Sequence, residues 1–411
     1  MNSNLMGSNS ILEFSDNLKK LKKELINQNN KIYVDSGGYS IIKGDVRFDS
    51  TKRFIECYNY FILNESSSCD RIFSLDIPFW GNIEDSMYMS KFNLEKYNDL
   101  STDYLTKSIS INKKIADKLH FVWHFKFKSQ FDVWRKIFKS YGVNGVTAKY
   151  AIGGLVGLRE RFQSTNGKVL DFSPFTSMAA KCLAEHLSGP LCCQRFCLHF
   201  LGVNHPVDRL QIALIELVFS EFCTKYGYPK PELTYDSINY TISAMNNSRS
   251  LKISSYEDGA LTNYDNFAKV PSNIIRNVYI TNEEYEIFKH EVNRFLNNEK
   301  YEKVDFLAPL NVYSEMSRDA FFTDSLKYYE LYSEIISQNQ GNHFYSNSRK
   351  KIEKLLSKNI HILTENVKSS VTNNCIELYL SVRYLLNGDM KSIDNRVEKT
   401  INTLRLPDPF F

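Results

Sequence analysis

The chain has 411 residues, 43% of them apolar and 24% charged, with a formal net charge of only +4. This balance fits a globular protein with room for one large α/β domain plus a helical extension, or for two domains. Bulk charge neither requires nor rules out a polyanionic partner, which would need a local basic patch. The eight cysteines show no secretory spacing, the start MNSNLMGSNS is polar, and no run of about 18 apolar residues occurs. Reduced thiols in a cytoplasm are the expectation, and membrane transporters and anchored receptors are set aside.

Residues 11–30 carry apolar positions at helical spacing beside a basic face and end in an Asn-rich turn. KIYV (31–34) then reads as a strand leading into DSGG (35–38). A helical pattern over 50–65 precedes RIFSL (71–75), a strand that ends at Asp76 and Pro78. A long polar, helical stretch follows to about residue 118. HFVWHF (120–125) is a third strand with KSQFDVWRKIFKSYG as its helix, and GVTAKYAI (145–152) is a fourth that opens into Gly153 and Gly154. MAAKCLAEHL (178–187) reads as a helix and RFCLHFLG (195–202) as a fifth strand. Residues 206–227 form an amphipathic pattern with Pro206 at its start and Gly227 at its end, and ELTYD (232–236) closes the series.

Strands and helices alternate here at the period of βα units, and the DSGG, YAIGGL and LTYDS strands each end in Gly or Asp. The expected fold is α/β: a TIM (β/α)8-like barrel with a C-terminal helical extension. Six units are visible, and a complete barrel needs two more, sought in residues 5–14 and in VDFLAPLNVY (304–313). Because DSGG begins at residue 35, a barrel incomplete at the N-terminus stays open. The expected domains are a catalytic barrel over 1–316, with a loop-rich insertion over about 245–303, and a helical region over 317–411. The polar segment 245–268 reads as the most loop-like part of the chain.

DSGGY, SLDIP, YAIGGLVG and FLGV, followed by an apolar strand ending YDS, stand in the order and approximate spacing of tRNA-guanine transglycosylase motifs. The resemblance covers residues 30–240 and, more weakly, 304–335; within the superfamily the chain looks closest to the DpdA-type DNA-guanine transglycosylases, which insert a 7-deazaguanine into DNA. The resemblance implies Asp236 as nucleophile and Asp35 as general acid/base. Exchanging a base breaks an N-glycosidic bond, and one carboxylate that traps C1′ while another group manages the proton follows the logic of retaining glycosidases. Taken alone, Asp35 also reads as a turn residue of the SGG loop, and Asp236 as a cap of the next helix.

Guanine presents two adjacent donors, N1–H and N2–H, which one carboxylate accepts together; the family places that carboxylate at the position of Asp76. Its O6 needs donors, for which the backbone of Gly153, Gly154 and Leu155 is suited because glycine permits close approach. His124 stands near a family glutamine that faces O6 and N7, and Tyr39 near an aromatic that stacks on the extruded base. A buried strand histidine and a core tyrosine are the plain alternatives. Lys126, Lys128 and Arg135 around the third strand, and Arg349 and Lys350 toward the C-terminus, are candidate phosphate contacts or else solvated helix faces.

The family's structural zinc site uses a CxCxxC cluster, whereas no cysteine lies here between Cys223 and Cys375. No zinc subdomain and no cofactor are therefore expected. Cys197 and His199 fall within the fifth strand, where alternation makes them core or face residues rather than ligands. The expected partners are DNA, with tRNA as the alternative, guanine and a 7-deazaguanine base, and a second copy of the chain, since the family tends to dimerise. A non-catalytic nucleic-acid-binding subunit of the same fold is the remaining alternative.

Overall fold

The computed structural model describes residues 32–35, 51–76, 91–125, 128–153, 174–203, 206–236, 253–258, 260–264, 269–279, 281–297, 307–322, 377–378 and 380–403. Strands β1 (Tyr33–Val34), β2 (Arg71–Phe73), β3 (Leu119–His124), β4 (Lys149–Gly153), β5 (Cys197–Phe200) and β6 (Glu232–Tyr235) lie side by side in chain order, each parallel to the next. Parallel neighbours need a crossover. One described helix supplies each: α1 (Thr51–Glu65), α2 (Lys91–Ile111), α3 (Lys128–Ser140), α4 (Pro174–Ser188) and α5 (Pro206–Lys225). The result is a mixed α/β structure around a curled, six-stranded parallel half-barrel.

The strands show why they are strands. In β3 every residue is buried, as expected where both faces of a parallel sheet are covered. Phe121 and Trp123 meet the helical layer: Phe138 of α3 lies edge-on to Phe121 at 5.9 Å and to Trp123 at 4.6 Å, and Phe131 stacks on Trp123 at 5.7 Å. Phe131, Trp134 and Phe138 recur at helical spacing, which gives α3 its single apolar face. Helix α5 stops where Gly227 takes a left-handed φ of 76°, and the amide of Tyr228 reaches back to the Cys223 carbonyl at 2.8 Å.

The opposite face of the sheet turns inward, and its side chains prove the curl. Adjacent strands lie about 4.8 Å apart, so β2 and β6 would be roughly 19 Å apart in a flat sheet. Instead, Arg71 on β2 donates through Nη1 to Thr234 Oγ1 at 2.6 Å and pairs with Glu232, both on β6. Phe73 of β2 meets the His199 ring of β5 at 4.6 Å, and Tyr33 of β1 meets it at 6.1 Å. The lumen is layered. Toward the N-terminal ends of the strands it is polar, with Arg71, His120, Lys149, Cys197, Glu232 and Thr234. Phe73, Val122 and Ala151, with Leu201 against them, form an apolar layer next to it.

The chain divides into two compact units: residues 1–201, 218–235 and 363–411 form the first, and residues 202–217 and 236–362 the second. In the second, β7 (Ile253–Glu257) and β8 (Ala260–Tyr264) make an antiparallel hairpin. Asp258 sits between them at a left-handed φ of 50°. This corrects the loop-like reading of 245–268 over its described part, 253–258 and 260–264: Asp258 takes a turn conformation, and only one face of these strands needs apolar residues. Helices α6 (Ser272–Val278), α7 (Asn282–Leu296) and α8 (Ala308–Phe322) accompany the hairpin. Ile253, Val270, Ile274, Tyr279, Phe288, Leu307 and Leu310 form the core of this group. Thr281 and Glu284 cap α7 reciprocally, each side chain accepting the other's amide at 3.1 Å.

Helix α8 overturns the reading of 304–313 as a barrel strand. Its residues from Ala308 onward are helical, with Pro309 in the first turn, where an amide donor is not needed. Residues 5–14, the other expected strand, lie outside the described residues. In the first unit, helix α9 (Met390–Thr403) packs on α4 and α3. The buried Lys181 of α4 ties it down, reaching Asp394 at 2.6 Å and Glu185 at 2.7 Å.

Candidate active site

Parallel strands deliver their C-terminal ends to one edge of the sheet. In the first unit Asp35 directly follows β1, Asp76 lies three residues past β2, and His124 and Gly153 end β3 and β4; Asp236, the residue after β6, is counted with the second unit. Ser74 carries β2 alongside β3: its amide donates to the His120 carbonyl at 2.8 Å, and its hydroxyl accepts the Val122 amide at 2.8 Å. Two residues later Asp76 arrives at the end of β3.

Asp76 and His124 are both buried, and the carboxylate Oδ2 is hydrogen-bonded to the imidazole Nδ1. The His124 carbonyl is held in turn by the indole N–H of Trp134 at 2.6 Å, which anchors the strand tip to α3. The β3–β4 register sets Gly153 opposite His124. A Cβ on Gly153 would lie 3.1 Å from His124 Nδ1, 3.2 Å from Val122 Cγ1 and 3.4 Å from Asp76 Oδ2. Glycine at this position keeps a methyl group away from the pair.

Asp35 is exposed, in step with Tyr33 on the inward side of β1. Tyr58 of α1 connects it to Asp76 electrostatically. Its buried hydroxyl donates to the Phe73 carbonyl at 2.6 Å, and burial pushes the phenol well above its ordinary pKa, with the negative charges of Asp35 and Asp76 adding to the shift. Tyr58 therefore lies within the field of both carboxylates. Asp236 is exposed and continues the alternation of Glu232 and Thr234. Its Oδ1 accepts the Gly202 amide at 2.6 Å, and its carbonyl accepts the Val203 amide at 3.0 Å. A backbone amide bonded to a carboxylate fixes its orientation.

The remaining expected site residues fall as follows. Gly154, Leu155, Tyr39, Lys126, Arg349 and Lys350 lie outside the described residues. Lys128 is the first residue of α3. Arg135 is half-buried on the same helix, with its guanidinium 3.1 Å from Asp132 and 3.8 Å from Asp394, so two carboxylates offset its charge. Cys197 and His199 sit in the lumen as strand residues. Cys197 Sγ is 3.7 Å from Lys149 Nζ, and His199 Nδ1 is 2.8 Å from Thr234 Oγ1. Among the described residues no group of histidine, cysteine and carboxylate side chains has the geometry to hold a metal ion.

Sequence reasoning missed Tyr58 and the polar lumen around Arg71. The signal for the lumen was present in the alternation His120–Val122–His124, but which face of the strand looks inward is set by the sheet's curl. No family model matches the chain, and no curated protein matches it either. What the fold and site define is an α/β half-barrel protein whose first unit carries Asp35, Asp76 and the carboxylate-bound His124 at its strand ends.

Proposed function

We propose that the chain is a base-exchange glycosyltransferase that replaces guanine in DNA with a 7-deazaguanine derivative through a covalent Asp236-linked intermediate. The observation that carries this reading is the Asp76–His124–Gly153 cluster at the ends of β2, β3 and β4, in the strand order where the transglycosylase motifs stand in the sequence. Asp35 follows β1 and shares the field at Tyr58 with Asp76.

In this mechanism a guanine nucleotide leaves the base stack, because its C1′ and Watson–Crick edge are inaccessible in a duplex. One Asp236 oxygen attacks C1′ as the glycosidic bond breaks. The departing N9 takes a proton with help from Asp35, leaving a glycosyl ester on Asp236. The incoming base loses its N9 proton to Asp35 and displaces Asp236, which regenerates the carboxylate. Asp76 supplies acceptor oxygen at the donor edge common to guanine and 7-deazaguanine. The Gly202 amide on Asp236 orients the nucleophile.

The test is incubation of the full chain with labelled guanine and duplex DNA, single-stranded DNA or tRNA. Label entering DNA is expected, and its abolition by Asp236→Asn, a loss on the order of 10³-fold or more, would tie the exchange to that carboxylate. Label entering tRNA alone refutes the DNA assignment. Exchange at the wild-type rate in Asp236→Asn refutes the mechanism.

A further inference from the structure

The hydrogen bond between Asp76 and His124 has a directional consequence. An ionised carboxylate can only accept, so the proton in the Asp76 Oδ2–His124 Nδ1 contact belongs to the imidazole. A neutral ring protonated at Nδ1 carries a bare lone pair at Nε2. That Nε2 is buried, on a side chain 8% exposed, and has no hydrogen-bond partner among the described residues. Buried polar atoms are otherwise almost always paired, and one left open at a strand tip is expected where a ligand supplies the partner.

We infer that His124 is a specificity-determining acceptor: Asp76 locks its tautomer so that Nε2 receives an N–H donor from the bound ligand. The role is opposite to the one its sequence position implies, since the neutral ring held this way has no Nε2 proton to give to O6 or N7. Three features build the site. Asp76 sets the tautomer. The Trp134 bond to the His124 carbonyl fixes the strand tip from which the ring projects. Gly153 leaves the pair undisturbed, its missing Cβ standing 3.1 Å from Nδ1. The lock resembles the carboxylate–imidazole arrangement that orients histidines in metal sites, where the second nitrogen is likewise presented as a lone pair.

Resting on the base-exchange reading, the ligand class is a purine or 7-deazapurine with a lactam N1–H. Carboxylate and imidazole then present acceptors side by side. Guanine and hypoxanthine offer N1–H to such a face, whereas adenine sets a lone pair at N1 against it. Discrimination of about tenfold or more against adenine follows from one unmatched buried hydrogen bond.

The experiment is long-range ¹H–¹⁵N correlation of ring-labelled histidines in the full chain, with the His124 signals assigned by their loss in His124→Gln. Wild-type protein should show Nδ1 protonated and Nε2 bare, and Asp76→Ala should release the ring into a mixture of tautomers while the other histidine signals persist. Adding 7-deazaguanine or hypoxanthine should move the Nε2 signal, and adenine at the same concentration should not. A protonated Nε2 in wild type, or a tautomer unaffected by Asp76→Ala, overturns the inference whatever the purines do. A bare Nε2 that no purine moves leaves the locked acceptor standing and refutes the base-exchange reading instead.

Discussion

Arg71→Met tests the curl of the sheet, on which the layout of the first unit depends. The guanidinium is 8% exposed and bridges the lumen to Glu232 and to Thr234, while also lying 4.8 Å over the Tyr33 ring. Truncating one member of a buried ion pair costs about 3–5 kcal/mol, mostly because its partner stays desolvated and uncompensated. Here Glu232 is 29% exposed and keeps Arg195 at 3.8 Å, so part of its solvation survives. Discounting for that water and the weaker second partner leaves roughly 2–3 kcal/mol. In Arg71→Met/Glu232→Leu the stranded charge is gone, and a coupling of about 1–2 kcal/mol should be recovered. Chemical denaturation followed by tryptophan emission reads this, since Trp123 and Trp134 are buried beside β3 in the same unit. Transitions of the two units are fitted separately, as a single two-state fit would mix them. Strict additivity of the two substitutions would show that β2 and β6 do not face each other, and the curled arrangement would fall.

Burial, and then the Arg71 charge, hold the His120 pKa well below the usual 6.5. The folded protein keeps this ring neutral where the unfolded chain takes up a proton, so its contribution is intact above about pH 6.5 and lost as pH falls. His120→Phe should flatten the stability–pH slope between about pH 7 and 5, and an unchanged slope counts against that assignment. For Lys181, burial pulls the pKa down, but hydrogen bonds to Asp394 and Glu185 outweigh it and hold the ammonium above its ordinary 10.5. That stabilisation is complete below about pH 10.5 and fades as pH rises through the folded value. Protease susceptibility of α9 should therefore rise at alkaline pH, and Lys181→Met should remove the pH dependence. Gly153→Ala places a methyl against His124, Val122 and Asp76 and should cost about 1–3 kcal/mol by overpacking. It should also shift the His124 ring signals; silence in both readouts would mean the strand tip is looser than its contacts indicate.

Much of the first unit was legible because its signals are local. The short, mostly apolar run HFVWHF marked β3, the 3.6-residue spacing of Phe131, Trp134 and Phe138 marked α3, and Pro206 and Gly227 bracketed α5. The failures have equally local causes. Apolar runs such as VDFLAPLNVY fit a buried strand or a helix equally well, and the helix of Ala308–Phe322 won. The hairpin at Ile253–Tyr264 was hidden because its strands are mostly polar, and Asp258 takes the left-handed turn that joins them.

Chain chemistry alone determined which residues stand at the strand ends, since hydrophobic period and turn residues act over a few positions. Asp35, Asp76, Gly153 and Asp236 were identifiable on that basis. Only the tertiary structure decided what those residues meet. Asp76 and His124 are 48 positions apart, and Arg71 and Glu232 are 161 apart. Their pairing depends on parallel register and on the curvature of the sheet, which sum over many contacts and leave no mark at any single position. For that reason the sequence leaves His124 as either a base contact or a buried strand histidine, whereas the fold shows it buried against Asp76.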